Sequence, residues 1–389
     1  MAYQKLCPSF LFTGYELYAG EKVLIKDQQG TIIDIVDRDD AGEDVRRIDG
    51  LLCPGFVNAH CHLELSHMKG LIERGSGMSG FISSLMIQRF SDKSKIAEAI
   101  AEAEEEMISE GIVAVGDICN TEDSIHQKQS GKLYYHNFIE ALGLDPAMSS
   151  RRFAAAEALY NQFVDLGLVA SMVPHAPYSV SDELFRLISA HSSGKVISMH
   201  NQESQEETDF SMSAEGAMKD LFIAMNIPET ALRARHKRSL PAVIDHLSSA
   251  QKVLLVHNVV TNELDVAEAA VRGMDRYYWC LCPRANQYIT GMLPDLQLLT
   301  QHSEQFVIGT DSLASNSSLS FLEELKLLVN KFNWLTTADL LKWATINGAR
   351  ALNIDDRFGS FRKGMRPGIV CIDAITDGKI SDASRVKLL

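Results

Sequence analysis

The sequence predicts an α/β protein, a (β/α)8 TIM barrel with a small β-sandwich domain built from both chain termini. Eight apolar, strand-like runs lie between residues 56 and 311, each followed by a helical pattern or a loop. This number and length are typical of such a barrel. Both ends of the chain are instead turn-rich and β-like. Residues that can bind a metal recur where several of the apolar runs end, which favours the barrel further.

The composition fits one large domain with an appendage, or two domains. The 389 residues are 46% hydrophobic, enough to bury a sizeable core. The net charge of −14 argues against binding to nucleic acid or to an anionic membrane surface. No apolar run approaches the roughly 20 residues of a membrane span. The seven cysteines are odd in number without zinc-knuckle spacing, so we expect reduced thiols and a cytoplasmic location.

The N-terminal region contains short strand-like segments separated by turn-forming residues, at 10–13, 23–25 and 31–36. A sheet of this size is too small to make its own core. The C-terminal residues return to the same turn-rich, β-like pattern. We therefore expect the two ends to pair in one small β domain of residues 1–53 and 359–389, with the barrel, residues 54–358, inserted between them.

Between these ends, strand-like and helical patterns alternate. After the run that begins at Phe56, the predicted strands are residues 113–117, 133–139, 168–173, 195–199, 253–256, 277–280 and 306–308. The predicted helices are residues 97–110, 149–163, 181–190, 214–225, 240–247, 263–272, 319–330 and 338–351. A doubly wound open sheet is the alternative. It would concentrate the ligand-type residues at one switch point, whereas here they follow several nonadjacent strands.

The stretch LLCPGFVNAHCHLELS, residues 51–66, is the centre of the predicted site. Residues i and i+2 of a strand point to the same side, so His60 and His62 can face one cavity. His200, His257 and Asp311 follow the fifth, sixth and eighth strands. A single histidine at a strand end is more often structural, but this set indicates a divalent ion such as zinc, with a position left for water. Iron and manganese accept the same ligands.

Glu203 is the predicted proton carrier. It lies three residues after His200, and on the turn that leaves the strand it would reach back to a water activated at the metal. Alternatively, it simply caps or solvates the following helix, where Glu206 and Glu207 also lie. Its position closest to the ligand favours Glu203 over those two for the catalytic role.

Seven segments resemble the amidohydrolase superfamily: PGFVNAHCHLELS, VISMHNQES, VLLVHN, CPRANQYITG, GTDSLASNSSLSFLEEL, NGARALN and GMRPGIVCID. The resemblance covers essentially the whole chain. It implies one metal ion bound by His60, His62, His200 and Asp311. It also implies that Glu203 shuttles the proton, and that His257 and Asp311 hold the attacking water and the developing tetrahedral centre. A homodimer is ordinary in this group and is expected here.

The number of metal ions follows from the same resemblance. Binuclear amidases of the superfamily carry a carboxylated lysine at the end of the fourth strand, but here that strand ends in Pro174-His175. The chain is therefore similar to the mononuclear branch, which includes deaminases of cytosine, guanine and adenine nucleosides. The expected reaction is hydrolytic release of ammonia from the 6-amino group of an adenine nucleoside.

The preferred substrate is suggested by the residues after the first strand. The stretch HLELS differs from the pattern of S-adenosylhomocysteine and methylthioadenosine deaminases and is similar to the HLExS form of aminodeoxyfutalosine deaminases. Their substrate is an adenine nucleoside bearing a benzoate, on a route to menaquinone. The expected substrate contacts are His175, Glu64, Arg89, Arg151 and Arg284. Among these, Arg89 or Arg151, or Arg152 beside it, would pair with the carboxylate, because a guanidinium binds it bidentately.

Other substrates remain open: S-adenosylhomocysteine, methylthioadenosine, guanine or a halogenated triazine, the last with a chlorohydrolase-type reaction. A catalytically silent relative is the alternative outside enzymes. Such a chain would be expected to have lost a metal ligand or Glu203, and this sequence keeps all of them.

Overall fold

The computed structural model describes residues 3–389, apart from the side chains of residues 274, 301–303 and 388. The strands within this range are β1 (Gln4–Phe12), β2 (Leu17–Ala19), β3 (Lys22–Lys26), β4 (Ile32–Asp37), β5 (Val45–Pro54), β6 (Phe56–Cys61), β7 (Ile112–Cys119), β8 (Tyr134–Ala141), β9 (Ala170–Pro174), β10 (Val196–Asn201), β11 (Lys252–His257), β12 (Tyr277–Leu281), β13 (Phe306–Ile308), β14 (Ile369–Asp373) and β15 (Arg385–Leu388).

The helices follow the strands in alternation through the middle of the chain. They are α1 (Gly77–Gln88), α2 (Lys93–Ser109), α3 (Ile125–Lys128), α4 (Ser149–Asp165), α5 (Asp182–His191), α6 (Gln205–Ser213), α7 (Ala217–Ala224), α8 (Ser239–Val243), α9 (Glu263–Val271), α10 (Pro283–Ile289), α11 (Leu296–Leu299), α12 (Phe321–Lys331), α13 (Thr337–Lys342) and α14 (Gly348–Ala351). Short 3-10 helices connect several of them, and a π-helix, Trp343–Asn347, joins α13 to α14. No helix among the described residues is long and apolar enough to cross a membrane.

The eight predicted middle strands are present and run parallel, in two sheets ordered β6-β7-β8-β9 and β10-β11-β12-β13. The two sheets meet at both edges. At one edge the His200 N–H donates to the His175 carbonyl at 2.9 Å, and at the other the Asp311 N–H donates to the His60 carbonyl at 3.1 Å. The strand ladder does not continue through the second joint, because Asp311 has a left-handed φ of 56°.

The parallel strands are buried on both faces, which explains their near-continuous apolar sequences. Gly309, just after β13, shows how closely the two sheets approach. A Cβ atom there would lie 2.8 Å from the His60 Cβ, a separation that no side chain tolerates, so only glycine fits. This close approach brings the end of β13 against the end of β6, and with it Asp311 against the histidines.

The strands of both chain ends form one seven-stranded sheet, ordered β15-β14-β5-β1-β3-β4, with β2 pairing to β1. The tail strand β14 runs antiparallel to β5, so the expected pairing of the two chain ends is confirmed. Leu6, Leu24 and Leu52 belong to the apolar cluster of this sheet. Because all seven strands hydrogen-bond within one sheet, the two-layered sandwich form and the domain boundaries stay predictions.

Two stretches differ from the predicted helices. Residues 77–88, to which the sequence assigned no structure, form α1. The helix predicted at 214–225 is shortened to α7, because Ala214, with a left-handed φ of 54°, ends α6. Helices α1, α6 and α7 share a second apolar cluster, to which Met78, Phe210 and Phe222 contribute. This cluster is separate from the main core and also includes Ala176 and Tyr178, which follow β9.

Candidate metal centre and active site

Four side chains that the sequence analysis singled out converge on one point. The Nε2 atom of His62 lies 3.2 Å from Nε2 of His60 and 3.2 Å from Nε2 of His200. The Oδ1 atom of Asp311 lies 3.5 Å from Nε2 of His60 and 3.4 Å from Nε2 of His62. These four ligand atoms all lie within 4.8 Å of one another. Three nitrogens and one oxygen are thus arranged as the donor set of a divalent ion.

The protonation states of these residues suit a cation. Burial lowers the pKa of His62 to about 3 and the pKa of His200 well below its usual value, which keeps both imidazoles neutral. Burial opposes ionisation of Asp311 as well, but its hydrogen bond with His60 and the nearby imidazoles lower its pKa below the usual range. The centre therefore presents lone pairs and one negative charge.

Hydrogen bonds from the surrounding residues fix the orientation of the ligands. The Nδ1 atom of His200 lies 3.0 Å from the His175 carbonyl oxygen, so this nitrogen carries the proton and Nε2 keeps its lone pair. The Ser315 hydroxyl donates to Oδ2 of Asp311. Since three imidazole nitrogens and one carboxylate oxygen converge within 4.8 Å of one another, the residues fit a divalent metal ion.

Several residues of the centre have a left-handed backbone, which is uncommon for side chains other than glycine. The φ angles are 51° at Gln202, 78° at His257, 60° at Asn258 and 56° at Asp311. Strained positions of this kind concentrate at functional sites. Here each one lies at or just after the end of a parallel strand, where the chain turns away from the sheet.

Glu203 and His257 lie side by side next to the four ligands. The Nε2 atom of His257 is 3.5 Å from Oε1 of Glu203, and both side chains are buried. The Nδ1 atom of His257 donates to Oδ1 of Asn286 at 2.7 Å, so Nε2 is the acceptor nitrogen. Burial raises the pKa of Glu203 well above its usual value, and the charge of Asp311 adds to the effect.

The turn that carries Glu203 is held by another carboxylate. The N–H groups of Gln202 and Glu203 donate to the two oxygens of Glu207 at 3.0 and 2.9 Å. Helix α6 is capped by the Ser204 hydroxyl, which accepts from the Glu207 N–H. The cap of the helix is therefore Ser204, which leaves the Glu203 carboxyl group to face His257.

A cavity of about 1050 Å³ adjoins the centre. Its wall includes Glu64 and Glu140, and Oε1 of Glu140 lies 3.5 Å from Nδ1 of His200. Apolar side chains such as Leu159 and Phe222 also line the cavity. The cavity has room for a ligand of nucleoside size or larger.

The predicted substrate contacts differ in whether they line the cavity. Arg89 and Arg152 line the cavity, whereas Arg151 lies outside the lining. Arg151 and Arg152 are both exposed. Arg284 also lies outside it, and its guanidinium donates to the hydroxyls of Ser318 and Ser317, each at 2.6 Å. His175 is not among the residues that line the cavity, but its Nδ1 atom lies 2.6 Å from the hydroxyl of Ser179, which is.

Two polar residues at this site, Glu140 and Asn120, were not predicted from the sequence. Glu140 lies inside the apolar run of β8, and Asn120 lies just after β7. Nδ2 of Asn120 donates to Oε2 of Glu140 at 3.0 Å, and its backbone N–H donates to Oε2 of Glu64 at the same distance. A carboxylate within an apolar strand was the available clue, since such a group is rarely buried without a purpose.

Residues 51–387 match the Amidohydrolase family, a match that covers most of the chain. The chain belongs to this family. It is therefore a hydrolase that acts on carbon–nitrogen bonds, of a metal-dependent family. In this member of the family, the four converging side chains are the residues that could hold the metal ion.

Curated relatives of the chain are named as deaminases. The chain is 28% identical over 319 residues to an adenosine deaminase of Helicobacter pylori, covering 79% of the chain and 76% of that protein. It is 26% identical over 318 residues to an aminodeoxyfutalosine deaminase of a Nitratiruptor species, covering 79% and 75%. It is 26% identical over 364 residues to a 5-methylthioadenosine/S-adenosylhomocysteine deaminase of Thermococcus sibiricus, covering 83% and 74%.

Solved structures share the fold. The Helicobacter pylori aminofutalosine deaminase in complex with methylthio-coformycin superposes with a TM-score of 0.83 at 23% identity, covering 96% of this chain and 93% of that one. An adenosine deaminase from Xanthomonas campestris with bound zinc superposes with a TM-score of 0.70 at 20% identity, covering 95% and 84%.

Proposed function

We propose that the chain is a mononuclear metal-dependent deaminase that releases ammonia from the 6-amino group of an adenine nucleoside. The observation that carries this proposal is the convergence of three imidazole Nε2 atoms and the Asp311 carboxylate beside the Glu203–His257 pair. The names of the curated relatives support the reaction, because all three cited above are deaminases of adenine nucleosides.

The proposed ligands are His60, His62, His200 and Asp311. A divalent ion bound there supplies Lewis-acid activation of water, and zinc is the first candidate, with iron or manganese as alternatives. A single ion is favoured because β9 ends at Pro174, followed by His175, and offers no lysine for carboxylation.

Glu203 and His257 have separate proposed tasks. With its raised pKa, Glu203 is suited to carry two protons in turn. The first would pass from the attacking water to the ring nitrogen, and the second from the hydroxyl of the tetrahedral centre to the amino group, which leaves as ammonia. His257 is neutral, since burial lowers its pKa to about 4, and its acceptor Nε2 is suited to orient the attacking water. Asp311, ionised and bonded to Ser315, is suited to share in holding that water and the tetrahedral centre.

Aminodeoxyfutalosine is the first candidate substrate, which would place the enzyme on a menaquinone route. The stretch HLELS and the relative of the same name in Nitratiruptor support it. The cavity of about 1050 Å³ has room for a substituent beyond the nucleoside, and its guanidinium groups, Arg89 and Arg152, are suited to a carboxylate. Arg152 replaces its neighbour Arg151 in this proposal, because Arg151 lies outside the cavity lining.

Ammonia release by the zinc-loaded protein tests the proposal. The panel holds aminodeoxyfutalosine, S-adenosylhomocysteine, methylthioadenosine, adenosine, guanine and cytosine. We expect rapid turnover of at least one adenine nucleoside, and the preferred 5′ substituent identifies the substrate. Preference for methylthioadenosine or S-adenosylhomocysteine would favour the reaction of the Thermococcus relative. Turnover of none of the six by metal-loaded protein would refute the proposed deamination of an adenine nucleoside.

We propose further that the two four-stranded sheets close into one (β/α)8 barrel of residues 54–358. The hydrogen bonds that join their edges at His175 and His60 support this closure. Residues 1–53 and 359–389 would form the β-sandwich domain. A homodimer is proposed from the family resemblance, and a cytoplasmic location from the seven cysteines, none of which is paired in the described part of the chain. Light scattering on the eluted protein tests the dimer.

A further inference from the structure

Two buried carboxylates of the cavity each keep one oxygen without a hydrogen-bond partner. They are Glu64 and Glu140, 4% and 8% exposed, and in both the free atom is Oε1. Both residues line the cavity beside the metal centre. A buried carboxylate oxygen without a donor is unfavourable, so these two atoms indicate that a ligand supplies the donors.

The two carboxylates are built into one rigid unit. Asn120 lies between them, donating from its backbone to Oε2 of Glu64 and from its side chain to Oε2 of Glu140. The Thr121 N–H and hydroxyl also donate to Oε2 of Glu64, at 3.0 and 2.9 Å. With both Oε2 atoms engaged in this way, each carboxylate is fixed. Neither Oε1 accepts a hydrogen bond, although Oε1 of Glu140 also lies 3.5 Å from Nδ1 of His200, whose proton is donated to the His175 carbonyl.

The chemistry of the neighbourhood selects the kind of donor. A ligand ammonium group would have to lie near the divalent ion, which repels it. Neutral hydroxyl groups suffer no such repulsion, and a hydroxyl that donates to a carboxylate makes one of the stronger hydrogen bonds. Two acceptor oxygens, one on each side of Asn120, suit a vicinal diol, a ligand group with two hydroxyls on adjacent carbons.

We propose that Glu64 and Glu140 together bind the 2′- and 3′-hydroxyls of the substrate ribose. The inference rests on the proposed function, because an adenine nucleoside carries this diol at a fixed distance from the reacting amino group. It adds Glu140 to the site as a specificity-determining residue. The diol contact would hold the base in register with the ligands and with Glu203.

The test compares adenosine with 2′-deoxyadenosine and 3′-deoxyadenosine on the zinc-loaded enzyme. We expect each missing hydroxyl to lower kcat/KM by about 10- to 100-fold. In Glu64→Gln and Glu140→Gln the value for adenosine falls, but the penalty for a missing hydroxyl shrinks, because the charge-assisted bond is already lost. Two variants are used so that a failure of either one to fold or to hold metal leaves the other informative.

Glu104→Gln is the matched control. Glu104 is also a buried carboxylate, but it lies outside the cavity lining and both its oxygens are bonded, by Tyr135 and Gln127. It should keep the wild-type discrimination between adenosine and its deoxy analogues. Discrimination lost equally in Glu104→Gln would indicate a general structural effect and would overturn the assignment.

The outcomes separate this inference from the proposed function. Deamination of adenosine and both deoxy analogues with equal kcat/KM would leave the deaminase proposal intact and refute the diol contact. If no nucleoside is turned over, calorimetry with adenosine and 2′,3′-dideoxyadenosine still tests the contact. Tighter binding of adenosine, lost in Glu140→Gln, supports it. Equal binding of the two, or binding of neither, refutes it.

Discussion

At the residue scale, two carboxyl groups near the same centre are shifted in opposite directions. Asp311 is held ionised by the imidazoles around it, whereas burial and the charge of Asp311 raise the pKa of Glu203. Environments that separate the pKa values of two neighbouring carboxyls assign them different tasks. Asp311 is thereby suited to a cation and to developing positive charge, and Glu203 is suited to carry a proton.

Replacing Glu203 tests this division. Glu203→Gln removes the titratable proton and keeps the shape of the side chain, so bound metal should be retained while kcat falls by about 10²- to 10⁴-fold. Metal analysis and ammonia release measure the two effects. The control is Glu215→Gln, an exposed carboxylate that pairs with Lys219, which should leave both unchanged. Full activity in Glu203→Gln would rule out the proton-carrying role.

The raised pKa of another buried carboxyl group, that of Glu324, predicts that the stability of the fold depends on pH. Burial raises the pKa of Glu324 from 4.5 to about 8, so protonation of this group favours the folded state. Its contribution to the free energy of unfolding is fully present below about pH 4.5 and is lost as the pH rises to about 8. Urea unfolding at pH 5 and pH 8 should show a decrease that Glu324→Gln reduces by about 2 kcal/mol. An unchanged decrease in the variant would exclude Glu324 as its source.

The convergence of the four proposed metal ligands could be predicted from sequence because their placement is local. Each one lies at or just after the end of an apolar strand, and the strands of a parallel fold end on one side. The choice between Arg151 and Arg152 could not be made, because neighbouring residues of a helix differ by about 100° in direction. Which of the two arginines faces the cavity depends on how α4 packs against the rest of the molecule. Glu140 was missed since its partner Asn120 lies on another strand's loop.

At the element scale, a buried ion pair contacts the segment that carries His60 and His62. The side chains of Lys128 and Asp117 are fully buried and bonded to each other. The other oxygen of Asp117 accepts from the Leu63 N–H at 2.8 Å. Since Leu63 follows His62 directly, Asp117 fixes the backbone that places this ligand.

Paired substitutions separate the charge of Asp117 from its backbone contact. Asp117→Ala alone should destabilise the fold by about 3–5 kcal/mol, because it leaves Lys128 buried without a partner. Asp117→Leu with Lys128→Met removes both charges and should recover much of that loss. It still lacks the Leu63 contact, so we expect metal affinity about 10-fold below wild type.

The matched control keeps an acceptor for Leu63. Asp117→Asn with Lys128→Met also removes both charges, but the Asn carbonyl oxygen can still accept from the Leu63 N–H. Its metal affinity, measured by competition with a chelator, should remain near wild type. Equal affinities in the two double variants would show that the Leu63 contact does not position the ligand.

Helix α1 shows why some elements escaped prediction. Its first N–H groups, at Met78 and Ser79, donate to the carboxylate of Glu206 on α6, and its own N-cap residue, Ser76, makes no side-chain cap. A helix start that is satisfied from another part of the chain has no local sequence signal. The strands β6 to β13 were predicted because each contains a buried apolar run that can be read from its own local sequence.

At the scale of the whole molecule, the metal centre lies where the two parallel sheets meet. His60 belongs to β6 and His62 follows it, in the first sheet. His200 belongs to β10, and Asp311 follows β13, at the two edges of the second sheet. A bound ion would therefore cross-link the two sheets. Without it, three acceptor nitrogens and an ionised carboxylate face one another.

Removal of the ion should therefore lower the stability of the entire fold. A ligand present at about 100 times its Kd stabilises a protein by about 2.7 kcal/mol, which for a chain of this length is a shift in Tm of roughly 3–5 °C. We expect chelation to lower Tm by this amount and zinc to restore it. Asp311→Asn should respond far less to either treatment, because it lacks the charged ligand. A Tm that is unchanged by chelation, with loss of metal verified by elemental analysis, would show that the ion does not hold the two sheets together.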